Sequence, residues 1–323
     1  MDASTRLSML ARPKLPADVI LDTDTFNEVD DQFALSYLLR CEPQLRVRAI
    51  TAAPFFNENS ESPADGMKKS YTEIRHILSL AGREDLFPQV FLGSETYLPD
   101  EKTPVSSPAA DRICALGMEY SSEHPLYIVA IGAITNVASA LLRKPELKER
   151  IVVVWLGGHA LDWPDSREFN MMQDVAAARV VFGCGVPVVQ LPCMGVVSSF
   201  AVSEAELLMW LSGKNALCDY LVEHTREAAR KYAAGKPWSR VIWDVTAVAW
   251  LLGPRFVSDR LIPAPIPEYD HHYGSCPTRP LMKYCYWINR DELVCDLFEK
   301  LSGNELSQNQ KVIITAPDRK NVV

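Results

Sequence analysis

Val19-Ile20-Leu21-Asp22-Thr23-Asp24-Thr25-Phe26-Asn27-Glu28-Val29-Asp30-Asp31-Gln32-Phe33-Ala34-Leu35 packs four aspartates into ten residues, and Glu28 makes a fifth carboxylate. Val19, Ile20 and Leu21 read as a short buried strand. Phe33, Ala34, Tyr37 and Leu38 recur at helical spacing. The acids therefore fall on the loop after a strand and in the first turn of the next helix. In open α/β sheets that carboxyl edge is where ligands bind. Crowded carboxylates repel one another and lose solvation, so a hard cation is their natural partner.

Simpler roles explain only part of the cluster. Asp30 and Asp31 can complement a helix N-terminus at ~0.3–1 kcal/mol each, which leaves Asp22 and Asp24 without a cause. An EF-hand loop needs Gly at its sixth position and Glu at its twelfth. Counted from Asp22, those positions hold Asn27 and Phe33. A haloacid dehalogenase-type phosphatase also opens with a strand and Asp-x-Asp. It would use Mg²⁺, a phosphoaspartate at Asp22 and a suitably placed Lys. Such enzymes usually carry Thr or Val two residues beyond the second Asp, where this chain has Phe26.

Outward from this stretch, apolar runs at residues 19–22, 47–52, 90–92, 127–131, 151–156 and 186–191 alternate with helix-like segments. The runs show little polar alternation, as expected of a parallel sheet covered on both faces. Ser62-Pro63 and Ser107-Pro108 open helices with Pro at the first helical position. Residues 136–142 and 175–182 supply two more. Right-handed β-α-β connections then predict an open, mostly parallel, doubly wound (Rossmann-like) α/β sheet with helices on both faces.

The last third differs. Ser203-Glu204-Ala205-Glu206 has capping-box spacing. Residues 217–232 read as an amphipathic helix with Leu217, Leu221, Thr225 and Ala228 along one face. Residues 244–252 form an apolar helix, 281–287 a final strand and 291–301 a last helix. No repeat or linker divides the chain. A single domain over 1–323 is expected, with a helical, cap-like region at about 203–240 and a polar tail at 303–323.

Composition excludes several classes. Of 323 residues, 48% are hydrophobic and 23% charged, which is ordinary globular usage. The net charge of −8 and the lack of any Lys/Arg run argue against nucleic acid or an anionic membrane as partner. Eight cysteines without a Cys-x-x-Cys pair suit buried thiols in a reducing cytosol better than a zinc site. No charged region followed by a long apolar core opens the chain, so a cytoplasmic location is expected. Residues 127–142 contain Gly132, Thr135 and Asn136, and read as strand, loop and helix rather than as a membrane span.

The loops after the other strands also carry polar residues: Asn57 after 47–52, Gly132-Ala133-Ile134-Thr135-Asn136 after 127–131, and Gly157-Gly158-His159 then Arg167-Glu168-Phe169-Asn170 after 151–156. With the aspartate cluster, this ordered series resembles the nucleoside hydrolases, calcium-dependent enzymes that cut the N-glycosidic bond of ribonucleosides. Asp22-Thr-Asp24 to Asp30-Asp31 matches the opening motif of that family. The Thr135-Asn136 turn, the Gly157-Gly158 turn, Glu168-Phe169-Asn170, Asp174 to Ala177, and Asp244 opening an apolar helix match the rest. The resemblance implies the nucleoside hydrolase fold and hydrolysis of a ribonucleoside or related riboside to base and ribose. Asp24, Asp31, Asp244 and the Thr135 backbone carbonyl would hold Ca²⁺, and Asp24 would be the general base. Asp30, Asn57, Glu168 and Asn170 would grip ribose hydroxyls, while Asp22 would support the loop from behind. A homodimer or homotetramer is implied. A non-catalytic ribose- or nucleoside-binding protein is the alternative.

Two departures from that pattern stand out. Five residues separate Asp24 from Asp30, more than in well-known members. Trp243 occupies the position before Asp244 where those members carry a His associated with protonating a purine leaving group. Trp243 either stacks on the base or packs in the core. His159, His271 and His272 are the candidate proton donors in its place, while His76 and His124 read as surface positions.

Overall fold

The computed structural model describes residues 1–303. The expected tail falls almost wholly outside them. Eight strands make one sheet: β1 (Ala17–Thr23), β2 (Leu45–Ala52), β3 (Val90–Phe91), β4 (Leu126–Ala130), β5 (Ile151–Leu156), β6 (Val188–Leu191), β7 (Val257–Pro263) and β8 (Leu281–Ile288). Their order is β3-β2-β1-β4-β5-β6-β8-β7. All neighbours run parallel except β7, which lies antiparallel to β8 at one edge. The chain winds outward from β1 to β3, then crosses to β4 and winds the other way. The switch point between β1 and β4 opens the crevice where doubly wound folds bind ligands.

The strand interiors are apolar on both faces. Val19 and Leu21 of β1, Val129 of β4 and Val152 and Val154 of β5 enter one core. Ile20, Ile128, Val153 and Trp155 enter the other. The first core is roofed by helices α1 (Asp30–Arg40), α2 (Pro63–Leu80), α6 (Ala216–Ala233), α7 (Val245–Leu252) and α8 (Arg290–Ser302). The second is roofed by α3 (Pro108–Gly117), α4 (Thr135–Arg143) and α5 (Val175–Gly183). The two Ser-Pro starts behave as their chemistry requires, with Ser62 accepting from Asp65 N–H and Ser107 from Ala110 N–H. The cap-like region is a helical excursion whose ends are zipped together by a two-stranded ribbon, Ala201–Ser203 against Ser239–Val241. Its first helix, Glu204–Trp210, carries the capping box of Ser203 and Glu206.

Several expectations need correction. Strand β7 was not anticipated, because an edge strand buried mainly at Val257 carries little apolar signal. The sixth run begins at Val188, after Pro187, which has no N–H for the ladder. The third run ends at Phe91. The buried face of α6 passes through Ala229 instead of Ala228, set by packing against α2 and α8. Among the cysteines, Cys184 and Cys295 are exposed and Cys276 partly so, while the other five are buried. No described helix is long and apolar enough to cross a membrane.

Candidate active site

Strand β1 ends at the switch point and delivers the acids there. Asp22 points into the sheet interior. Its Oδ1 accepts from Thr51 Oγ1 of β2 at 2.6 Å and from Asn136 Nδ2 of α4 at 2.9 Å. Burial pushes its carboxyl up to about 6 against the pull of those two bonds. The chain then turns, with Asn27 N–H donating to Asp24 O at 2.7 Å, and enters α1 at Asp30.

Asp24, Asn27, Glu28, Asp30, Asp31 and Asp244 line one side of a cavity of about 190 Å³. Asp30, Asp31 and Asp244 each present a carboxylate oxygen within 4.8 Å of the others. All three and Asp24 are buried. Loss of solvation, then mutual repulsion, holds Asp24 and Asp244 well above the ordinary carboxylate value. Burial and the Glu28 charge do the same to Asp30. Asp31 is pushed up to about 7, less far because Thr23 Oγ1 donates to it. Among the described residues, both carboxylate oxygens of Asp24, and Oδ1 of Asp30, have no hydrogen-bond partner. A buried polar atom without a partner is costly. The donors are hard anionic oxygens, so the group fits a hard divalent cation. Outside the cluster, Arg240 of the ribbon pairs with Glu28 and ties the aspartate loop to the cap-like region.

Loops after β5 and β6 build the rest. Glu168 caps the short helix Phe169–Gln173. Its carboxylate accepts from Asn170 N–H at 2.9 Å, Gly158 N–H at 2.8 Å and Met171 N–H at 2.9 Å. Burial raises its pKa against those three donors. The Asn170 side-chain amide donates to Leu156 O at 3.0 Å and Ile131 O at 3.3 Å, so its nitrogen is committed and its oxygen has no partner among the described residues. His159, Arg167, Cys193, Met194 and Trp243 complete the lining. Trp243 is only partly buried and also packs against the core that contains Trp250.

The cavity thus brings together Asp24, Asp30, Asp31, Glu168, Asn170, Trp243 and Asp244. Three expected residues stand behind it. Asp22 faces the interior. Asn57 donates from Nδ2 to Asn27 Oδ1 at 2.6 Å, and it is Asn27 that reaches the lining. Thr135, whose backbone carbonyl is the expected ligand, opens α4 and is not in the cavity lining, and its hydroxyl donates to Asp174 at 2.6 Å. The close oxygen trio contains Asp30, where the resemblance implied Asp24. Neither His271 nor His272 lines the cavity, whereas His159 does. Cys193 and Met194 were missed. They follow the carboxyl end of β6 just after Pro192, the position that pointed to the other loops.

The match to the family described as inosine-uridine preferring nucleoside hydrolase spans residues 19–320. The pyrimidine-specific ribonucleoside hydrolase RihA of Salmonella typhimurium strain LT2 is 27% identical over 254 residues, covering 73% of this chain and 79% of that protein. Among solved structures, the plant nucleoside hydrolase PpNRh1 superposes with a TM-score of 0.71 at 21% identity, covering 89% of this chain and 99% of that one. A purine-preferring ribonucleoside hydrolase from Gardnerella vaginalis gives 0.69 at 20% identity, over 88% and 98%. With the switch-point carboxylates in place and the family matched along nearly its whole length, this chain belongs to the inosine-uridine preferring nucleoside hydrolases.

Proposed function

We propose that the chain hydrolyses the N-glycosidic bond of a ribonucleoside or related riboside and requires Ca²⁺. The observation that carries this reading is the set of uncommitted oxygens on Asp24 and Asp30, buried beside Asp31 and Asp244 in one cavity. Asp30, Asp31 and Asp244 would hold the ion, with Asp24 as a fourth carboxylate alongside. Bound there, the ion would neutralise the cluster, fix a vicinal diol and make a water easier to deprotonate.

The chain's own residues supply the rest. Asn170 Oδ1 accepts a ribose hydroxyl. Glu168 holds the Gly158 turn and the Asn170 backbone in register, so the sugar meets a rigid wall. As the C1′–N bond breaks, its electron pair leaves with the base and positive charge grows on the ribose ring. The carboxylates beside the ring stabilise that charge. Water adds at C1′ and Asp24 takes its proton, a contribution of ~10²–10⁴-fold when well placed. At about 190 Å³ the cavity is smaller than the ~300–1,000 Å³ pockets that enclose drug-sized ligands. That suits a sugar held deep and a base toward the mouth. The buried, hydrogen-bonded position of Asp22 is unsuited to a phosphorylated nucleophile, which weighs against phosphatase chemistry.

The test is release of reducing sugar from a nucleoside panel, with and without EDTA, alongside metal analysis of the purified protein. Cleavage that EDTA abolishes and Ca²⁺ restores supports the reading. No cleavage of any nucleoside, together with no bound calcium, overturns it.

A further inference from the structure

His159 follows the double glycine at the end of β5, two strands along the sheet edge from the aspartate loop. Its backbone is pinned on every side. Gly158 N–H donates to Glu168 at 2.8 Å, and Cys193 N–H donates to Gly158 O at 2.8 Å. Tyr273 OH donates to His159 O at 3.3 Å, and Ala160 N–H donates to Met194 O at 2.9 Å. The ring is held as well. Met194 N–H donates to His159 Nδ1 at 3.3 Å, and Trp163 sets its ring edgewise at 6.0 Å. With Nδ1 accepting, the neutral imidazole carries its hydrogen on Nε2. Burial favours that neutral form. Nε2 has no hydrogen-bond partner among the described residues, and His159 lines the cavity. It is the single histidine of the lining, and Trp243, beside Asp244, offers no group that titrates near neutrality.

The chemistry needs opposite things at the two ends of the scissile bond. The ribose end needs carboxylates. The departing base gathers electron density on its ring nitrogens and carbonyl oxygens, and needs a donor. We propose that His159 donates its Nε2 hydrogen to an acceptor atom of the leaving base, and so selects ribosides whose ring offers a carbonyl oxygen or imine nitrogen there. This inference rests on the hydrolase reading above. The C1′–N electron pair passes to the base, and the base takes its final proton from solvent. His159 keeps its own proton throughout, acting as a fixed hydrogen-bond donor.

The experiment compares wild type, His159→Ala and His159→Gln on a nucleoside and on p-nitrophenyl β-D-ribofuranoside, whose phenolate leaves without assistance. The expected result is a fall in kcat on the nucleoside on the order of 10²-fold for His159→Ala, with the aryl riboside nearly unaffected. His159→Gln, which can still accept from Met194 N–H and donate from its amide, recovers part of the nucleoside rate. Equal losses on both substrates in both variants, or no loss on the nucleoside, overturn the assignment. A wild-type protein that cleaves neither substrate removes the hydrolase reading itself, and this inference with it.

Discussion

Stripping the divalent ion is predicted to make the stability of this protein strongly pH-dependent, in a direction opposite to ordinary acid denaturation. In the unfolded chain, Asp31 ionises near 3.8; in the fold it holds its proton up to about 7. Between those values the folded state binds more protons than the unfolded state. Stability therefore falls as pH rises through that window, and the contribution is fully present only below its lower end. For Asp31 alone, moving from 3.8 to about 7 corresponds to ~4 kcal/mol, at ~1.36 kcal/mol per pH unit. Asp24, Asp30 and Asp244 shift in the same direction, but they share one repulsion, so their penalties do not add in full. A cation that neutralises the cluster removes the penalty. The assay is the difference in Tm between calcium-loaded and EDTA-treated protein across pH, so that titrations elsewhere in the molecule cancel. The difference should be near zero around pH 4 and grow to roughly 8 °C near pH 8, taking ~2 °C per kcal/mol. A difference that is constant with pH, or larger at the acid end, refutes the electrostatic account of the cluster.

Other outcomes follow from individual contacts. Asp244→Asn should lower kcat by ~10²–10³-fold and abolish the calcium isotherm in calorimetry, because it removes one of the three convergent carboxylates. Asp22→Ala leaves Thr51 Oγ1 without its carboxylate partner and deprives Asn136 Nδ2 of one acceptor. A loss of ~1–3 kcal/mol in urea unfolding is expected, with calcium affinity ~10–100-fold weaker. Gly158→Ala should destabilise by ~1–3 kcal/mol, since its φ is +76° and a Cβ would meet Tyr273 Oη at 2.0 Å. Adding Tyr273→Phe should recover part of that loss in the same melt. Trp243→Ala should raise KM about tenfold with little change in kcat, because the ring lines the cavity without carrying a reacting atom.

The parallel order was legible because both faces of β1, β4 and β5 are apolar, which only a sheet covered on two sides tolerates. The aspartate loop was legible for a related reason: its acids follow a strand directly, and the carboxyl edge of such a sheet is a fixed place in space. What sequence could not convey was the direction of loop side chains. Asn57 lies in the right loop, yet its amide turns to Asn27, an orientation decided by a contact between two segments far apart in the chain. Nor could sequence convey that Asp30 joins Asp31 and Asp244 in the close oxygen trio. Asp30 sits in the first turn of α1, and the helix sets its side chain toward Asp244. The edge strand β7 escaped because a strand with one neighbour and mostly solvent around it has no apolar signature to show. His159 was visible but weightless as one histidine among several. Its significance comes from the five hydrogen bonds that hold it and its neighbours.

Glu168 and the aspartates are both buried acids, yet their charges are answered by different means. Three peptide N–H groups answer Glu168, and they are built into the chain. Among the described residues, Asp24, Asp30, Asp31 and Asp244 have Thr23 and little else. One wall of the cavity is thus finished when folding ends, and under the proposed function the other would be finished by a bound cation. On that reading the ion and the riboside would each tighten the other's hold. The concentration of free calcium around the protein would set how many molecules are ready for substrate at any moment.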